Sequence, residues 1–233
     1  MVEILGWFVC IGAAYLFGSV PIAFLAVKWR YGKDIRRYGS GTAGGSNVYR
    51  SFSKKLGILV ALYDILKGIL AVGVAQLLHL DTTHQVVMGL AAIIGHNWPV
   101  FLRFNAGRGV ATSIGVGLYL LPLGIPGFLF LALLTLIIGS SPVPVLAAMA
   151  TLPLTSWALG KPLILSLGLL VLFLILVIRR LTAPRSERSK NVKTLQILVN
   201  RFLFDRDIRD AKEWVNHSPS NLKTNGKTEQ KQH

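Results

Sequence analysis

The chain has 233 residues, 52% of them hydrophobic, and a formal net charge of +15. That pairing fits a membrane protein better than a soluble nucleic-acid binder. The placement of the charge decides it: of 25 Lys and Arg, eight lie in 28–55 and thirteen in 179–233, which leaves Lys67, Arg103, Arg108 and Lys161 for the rest.

Apolar runs near the roughly 20 residues a spanning helix needs recur along the chain. They fall at 4–27, 57–79, 84–103, 109–122, 123–140, 142–159 and 161–179, with Pro122, Pro126, Pro142 and Pro144 punctuating the shorter ones. Backbone at membrane depth must bond internally, so helices are the expected form. The fold class predicted is all-α: a seven-helix transmembrane bundle over 1–180 with glycine-rich cytoplasmic loops. The first run lacks a basic leader and a small-x-small site, which argues against a cleaved signal peptide. Cys10, the only cysteine, lies inside it, so no disulfide framework exists within the chain.

The segment 28–55 carries eight basic residues and one acid, Asp34. The positive-inside rule therefore makes it cytoplasmic, with the N-terminus outside and the C-terminus inside. Val192, Leu195, Leu198, Val199, Phe202 and Leu203 recur at helical spacing, so 181–216 reads as a cytoplasmic amphipathic segment on the membrane face. Residues 217–233 have the composition of a disordered tail.

The first candidate site follows the first run: Gly39-Ser40-Gly41-Thr42-Ala43-Gly44-Gly45-Ser46-Asn47, flanked by Arg36, Arg37 and Arg50. Its four glycines permit positive φ and an inward-facing nest of N–H groups. The hydroxyls add donors, and the arginines supply bidentate charge for a phosphate. A flexible linker is the plain alternative, but linkers rarely carry flanking arginines.

Asp64 and Lys67 follow at i and i+3 in the second run, about 10 Å deep by helical rise. Charges at that depth are expensive and either pair or serve function. At the inner end of the third run stand His96 and Asn97, then Gly107-Arg108-Gly109 and Thr112. A tight turn feeding a helix N-terminus favours anions. A histidine there suits proton transfer or donation to phosphate. No zinc spacing, Gly-x-Ser-x-Gly elbow or Gly-Lys-Ser/Thr loop occurs. The residue five places after His96 is Phe101, so the His-x4-Asp pair of many glycerolipid acyltransferases is missing.

Together these stretches resemble the acyl-phosphate-dependent glycerol-3-phosphate acyltransferases, the PlsY family of bacterial membrane enzymes. Gly18-Ser19-Val20-Pro21 matches the family's Gly-Ser-x-Pro turn, and 39–50 matches Gly-Ser-Gly-Asn-x-Gly-x-Thr-Asn-x-x-Arg. Asp64-Ile65-Leu66-Lys67-Gly68 matches Asp-x-x-Lys-Gly, and Gly95 to Thr112 matches Gly-His-x-x-Pro-x-Phe-x-x-Phe-x-Gly-Gly-Lys-Gly-Val-Ala-Thr. Thr42 replaces Asn, Ser46 replaces Thr, Ala106 replaces Gly and Arg108 replaces Lys. Of the third motif, His-x-x-Asn-x-x-Arg-x-x-x-Gly-x-Glu, only Arg201 and Asp207 (for Glu) can be placed, so the chain reads as a divergent member.

The resemblance implies acyl transfer from acyl phosphate to the 1-hydroxyl of glycerol 3-phosphate, giving lysophosphatidate and phosphate in the first acylation of phospholipid synthesis. It implies residence in the bacterial inner membrane, the lipid bilayer and the enzyme supplying acyl phosphate as partners, and neither cofactor, metal nor nucleic acid. The catalytic set is read as His96, Ser40, Asn47 and Lys67. Phosphate and substrate binding falls to Gly39, Gly41, Thr42, Gly44, Gly45, Ser46, Arg50, Asn97, Gly107, Arg108, Gly109, Thr112, Arg201 and Asp207. Another membrane lipid-phosphate transferase is the alternative, although such enzymes usually cluster Asp around a divalent ion. An organic-anion transporter would call for internal repeats and a polar path through the bilayer.

Overall fold

The computed structural model describes residues 2–124, 126, 127, 130, 133, 143–183 and 192–207. Among these, every regular element is helical: α1 (Val2–Ser19), α2 (Ile22–Tyr31), α3 (Gly45–Ser51), α4 (Lys54–Leu77), α5 (Thr82–Asn97), α6 (Val110–Leu120), α7 (Val143–Ala158), α8 (Leu163–Leu181) and α9 (Thr194–Phe204). Single 3₁₀ turns occupy Ile35–Arg37, Val100–Leu102 and Pro122–Gly124.

Helix α4 is inside out relative to a soluble helix. Leu62, Leu66, Leu70 and Val74 are exposed at steps of four, whereas Asp64, Lys67, Ala71 and Ala75 are buried. An apolar outer face with charge turned inward is what a lipid solvent selects. Among the described residues, four stretches are long and apolar enough to cross a membrane: Leu5–Tyr31, Lys54–Leu77, Thr82–Leu102 and Leu163–Leu181. They coincide with the apolar runs expected to begin at residues 4, 57, 84 and 161. The runs at 109–122 and 142–159 form α6 and α7, of 11 and 16 residues, short of the roughly 20 residues for an upright span. Most of the run at 123–140 and all of 217–233 lie outside the described residues.

The first span is broken where the sequence requires it. Pro21 has no N–H to continue the ladder, and α1 ends at Ser19 before α2 resumes at Ile22. The break turns the Ile22 N–H to the Val20 carbonyl at 3.1 Å, so the Gly18 carbonyl loses its helical donor and the Val20 carbonyl keeps only that short-range one. Lys67 reaches across from α4 to take both, at 3.1 and 2.8 Å. The starts of α4 and α5 are capped by side chains: Ser53 accepts from Leu56 N–H at 3.4 Å, and Asp81 accepts from His84 N–H at 3.0 Å.

Close helix crossings depend on glycine. A Cβ on Gly18 would strike the Ala92 backbone, and one on Gly95 would strike the Tyr15 carbonyl, so α1 lies directly on α5. Gly68 and Gly115 do the same for α4 on α6. Such contacts let dispersion and packing hold helices in lipid, where apolar side chains gain nothing from hiding. Val72, Ile93, Val116, Met149, Leu169 and Leu172 complete the core between α4, α5, α6, α7 and α8. The C-terminal ends of α1 and α5, the N-terminal half of α4 and the start of α6 are thereby brought together, with the polar motifs between them.

Candidate active site

The loop ahead of α3 is organised from within. Gly39 and Gly41 have φ of +55° and +71°, the left-handed conformations that glycine alone adopts freely. Gly44 is extended, at φ −143°, and a Cβ there meets nothing. Gly45 is helical and faces the Gly57 carbonyl, where a Cβ would stand 2.8 Å away. Positive φ, expected of the glycines as a group, therefore belongs to the first two, while Gly45 serves the α3–α4 contact.

Asn47 was read as one of the catalytic set. Its side chain instead holds the loop: it is 1% exposed, and Nδ2 donates to the carbonyls of Tyr38 at 2.9 Å and Thr42 at 2.8 Å. Its Oδ1 accepts from Ser40 N–H at 3.2 Å and from the Ser51 hydroxyl at 3.1 Å. With both amide atoms satisfied, Asn47 acts as a positioning residue. Ser40 and Thr42 share a hydroxyl hydrogen bond of 2.9 Å at the loop surface. Arg50 donates to the Ser46 hydroxyl at 2.6 Å. Arg36 is held by Asp34 at 2.8 Å, and that hydrogen bond holds the Asp34 carboxyl below its usual range.

Lys67, read as catalytic, is likewise occupied. Besides the two carbonyls of the broken span, its ammonium lies 3.5 Å from Asp64 Oδ1, and it is 1% exposed. Three donors meet three acceptors, so Lys67 ties the end of α1 and the break after it to α4 and has no donor to spare for a substrate.

The same carboxylate faces His96. Asp64 Oδ1 lies 3.4 Å from His96 Nδ1, across 32 residues and two helices. The missing His-x4-Asp pair thus has a spatial counterpart that the sequence reading did not foresee. The other face of the ring points at Gly107: a Cβ there would collide with Nε2. Nδ1 backed by a carboxylate and Nε2 turned to the loop is the arrangement of an oriented acceptor.

Asn97 stands next to it. It is fully buried, packed against Gly109, which takes φ +72° as the N-cap of α6. Neither Oδ1 nor Nδ2 of Asn97 has a partner, nor do the hydroxyls of Thr112 and Ser113 in the first turn of α6. Buried polar groups are rarely left unpaired. Three of these atoms, Asn97 Nδ2 and the two hydroxyls, are donors near a helix start whose own N–H groups also lack a side-chain cap, an environment that favours an anion.

The second loop is clamped from α8 and α9. Arg179 donates to the Gly107 carbonyl at 3.0 Å and lies 5.6 Å over the Trp98 ring. Arg108 donates to the Asp205 carbonyl and pairs with its carboxylate, and Arg180 stands 3.2 Å from the same carboxylate. Arg201 and Asp207, expected at substrate, bond each other at 2.6 Å, and Arg201 donates to the Leu181 carbonyl at 2.7 Å; both are buried and fix α9 to α8. Arg179, Arg180 and Asp205 were not foreseen. Arg50 joins this group across the two loops: crowding by protein and then repulsion from Arg108 push its guanidinium pKa down. Among the described residues no three His, Cys, Asp or Glu side chains converge as a metal site.

Known proteins share this arrangement of sequence and helices. The glycerol-3-phosphate acyltransferase family profile matches residues 8–186. Glycerol-3-phosphate acyltransferase 4 of Dehalococcoides mccartyi strain CBDB1 is 42% identical over 218 residues, covering 90% of this chain and 93% of the relative. The Bacillus cytotoxicus glycerol-3-phosphate acyltransferase is 49% identical over 110 residues, which cover 47% of this chain and 55% of its own. Two crystal structures of PlsY, an integral membrane glycerol 3-phosphate acyltransferase, superpose on the helices. Its glycerol 3-phosphate form gives a TM-score of 0.69 at 29% identity, covering 75% of this chain and 88% of PlsY. Its lysophosphatidic acid form gives 0.66 at 27% identity over the same shares. With the profile spanning most of its length and a relative matched almost end to end, this chain, a multi-pass membrane protein, belongs to the glycerol-3-phosphate acyltransferase family.

Proposed function

We propose that this acyltransferase takes its acyl group from acyl phosphate and delivers it to the 1-hydroxyl of glycerol 3-phosphate, releasing lysophosphatidate and inorganic phosphate. The observation that carries the reading is the set of unpartnered Thr112 and Ser113 hydroxyls at the start of α6 and Asn97 Nδ2, the last next in the chain to His96, whose Nε2 faces Gly107. One phosphate is assigned there. The other is assigned to the 39–50 loop, where Gly39 and Gly41 turn the backbone and Ser40, Thr42 and Ser46 offer hydroxyls.

In the reaction the 1-hydroxyl oxygen attacks the acyl carbonyl carbon, the bond from that carbon to the phosphate oxygen breaks, and phosphate leaves with the electron pair. The hydroxyl proton passes to His96 Nε2, with Asp64 behind Nδ1 to steady the cation that forms. Acyl phosphate is already activated, so positioning and charge stabilisation supply most of the rate. Arg50 and Arg108 neutralise the two phosphates. Asn47 and Lys67 act one step away, by holding the loop and the broken first span.

The topology goes with this reading: seven spans in the bacterial cell membrane, N-terminus outside and C-terminus in the cytoplasm, with 181–216 on the inner membrane face. Both phosphates then meet the protein where cytoplasmic metabolites are, and an enzyme making acyl phosphate supplies the donor. The test uses purified protein in detergent with acyl phosphate and glycerol 3-phosphate and no added metal. Phosphate release that requires both substrates is expected. Acylation with acyl-CoA alone overturns the donor assignment.

A further inference from the structure

Asp205 sits at a strained position in a basic cluster. It ends α9 with φ +57° and ψ +35°, the left-handed region where a residue other than glycine is uncommon. Counted from Arg201, it fills the place where the third-motif pattern has glycine. Its carboxylate pairs with Arg108 from the loop after α5 and with Arg180 from α8, while Arg108 Nε has no partner. Arg50 feels the same carboxylate from the first loop.

We propose that Asp205 is a resident anion: in the empty enzyme its carboxylate fills a phosphate site made by Arg108 and Arg180, and the phosphate of an incoming substrate displaces it. The inference rests on the phosphate-handling role given to Arg108 above. A carboxylate presents two oxygens and one negative charge, which a guanidinium binds as it binds two oxygens of a phosphate. A phosphate monoester brings more charge and a third oxygen, so it outcompetes the carboxylate, at an affinity lowered by that competition. Docking of α9 does not need the pair. Arg201 already holds the Leu181 carbonyl at 2.7 Å, and Arg180 Nη1 holds the Phe202 carbonyl at 2.9 Å. Asp205 is thus a residue that sets phosphate affinity in this chain.

The experiment titrates inorganic phosphate into the purified full chain in detergent by calorimetry, comparing the native protein with D205N and D205G. Asparagine keeps the shape and tolerates the left-handed backbone; glycine takes that backbone without strain and keeps the helix end if D205N proves unstable. Both are expected to lower the Kd for phosphate by about three- to tenfold, the scale of one partly buried ion pair converted to affinity. D81N, which removes an equal charge at the far end of α5, should leave the Kd where it is. An unchanged or raised Kd in both Asp205 variants overturns the inference and makes Asp205 a tether. Turnover then distinguishes the source of the phosphate: KM falls for glycerol 3-phosphate or for acyl phosphate, and a fall in neither again refutes the proposal. Tighter phosphate binding in a protein that acylates nothing would leave this inference standing and remove the proposed reaction.

Discussion

Replacing Lys67 by Met separates a structural from a catalytic lysine. The ammonium holds the Gly18 and Val20 carbonyls at 3.1 and 2.8 Å and lies 3.5 Å from Asp64, all away from water. Methionine fills the same channel but leaves the buried Gly18 carbonyl unpaired, the Val20 carbonyl with only the Ile22 N–H, and a carboxylate with only His96 beside it. Breaking a buried pair from one side costs about 3–5 kcal/mol. In Asp64→Asn/Lys67→Met no buried charge is orphaned, and the remaining cost is chiefly that of the Gly18 carbonyl, about 1–3 kcal/mol. At roughly 2–4 °C per kcal/mol for a chain of this size, the single variant should melt about 6–20 °C below the native protein, and the double variant should recover part of that loss. The assay is a thermal melt in detergent, scored by retention of soluble monodisperse protein. A single variant that melts like the native protein while losing kcat would refute the reasoning and return Lys67 to the substrate. A double variant less stable than the sum of its singles would refute the charge-orphaning part alone.

The two loop glycines divide by the same logic. Gly41→Val should abolish turnover in protein that still inserts, because valine resists φ +71°, whereas Gly44→Ala should keep near-native kinetics, since its backbone is extended and the space beside it open. His96→Gln should be about as slow as His96→Ala, with kcat down on the order of a hundredfold or more as for a lost general base; recovery of most of kcat by Gln would transfer the proton to the substrate's own phosphate. Arg108→Ala should chiefly raise KM and Arg108→Lys should restore part of it, as kinetic assays with varied glycerol 3-phosphate will show. In a Cys10→Ser background, an impermeant thiol reagent added outside intact cells should label a cysteine at residue 82 and spare one at residue 42; the reverse would invert the proposed topology.

What the sequence made legible, and what it hid, follows from how far each interaction reaches along the chain. The broken first span, the capped starts of α4 and α5 and the left-handed Gly39 and Gly41 are local, and Pro21, Ser53, Asp81 and the glycines announce them. Burial of Asp64 and Lys67 was legible too, because charge in an apolar run must turn inward. Their partners were not. Lys67 reaches carbonyls 47 and 49 residues away, a need created only when Pro21 opens the first span. Asp64 meets His96 because α4 and α5 pack side by side, and no spacing rule connects two helices. The bonds of Asn47 were hidden for a related reason: an asparagine in a phosphate-like loop looks the same in sequence whether its amide faces a ligand or the loop, and here it holds the carbonyls of Tyr38 and Thr42. Arg179 and Arg180 read as charges ending an apolar run, the usual mark of a cytoplasmic anchor. They are buried instead, because α9 folds back over them and the second loop supplies carbonyls. A single signal was available. Arg201 and Asp207 keep their spacing while the residue between them that should be glycine is Asp205, and a carboxylate put in place of glycine beside a basic loop invites the question of which cation it answers.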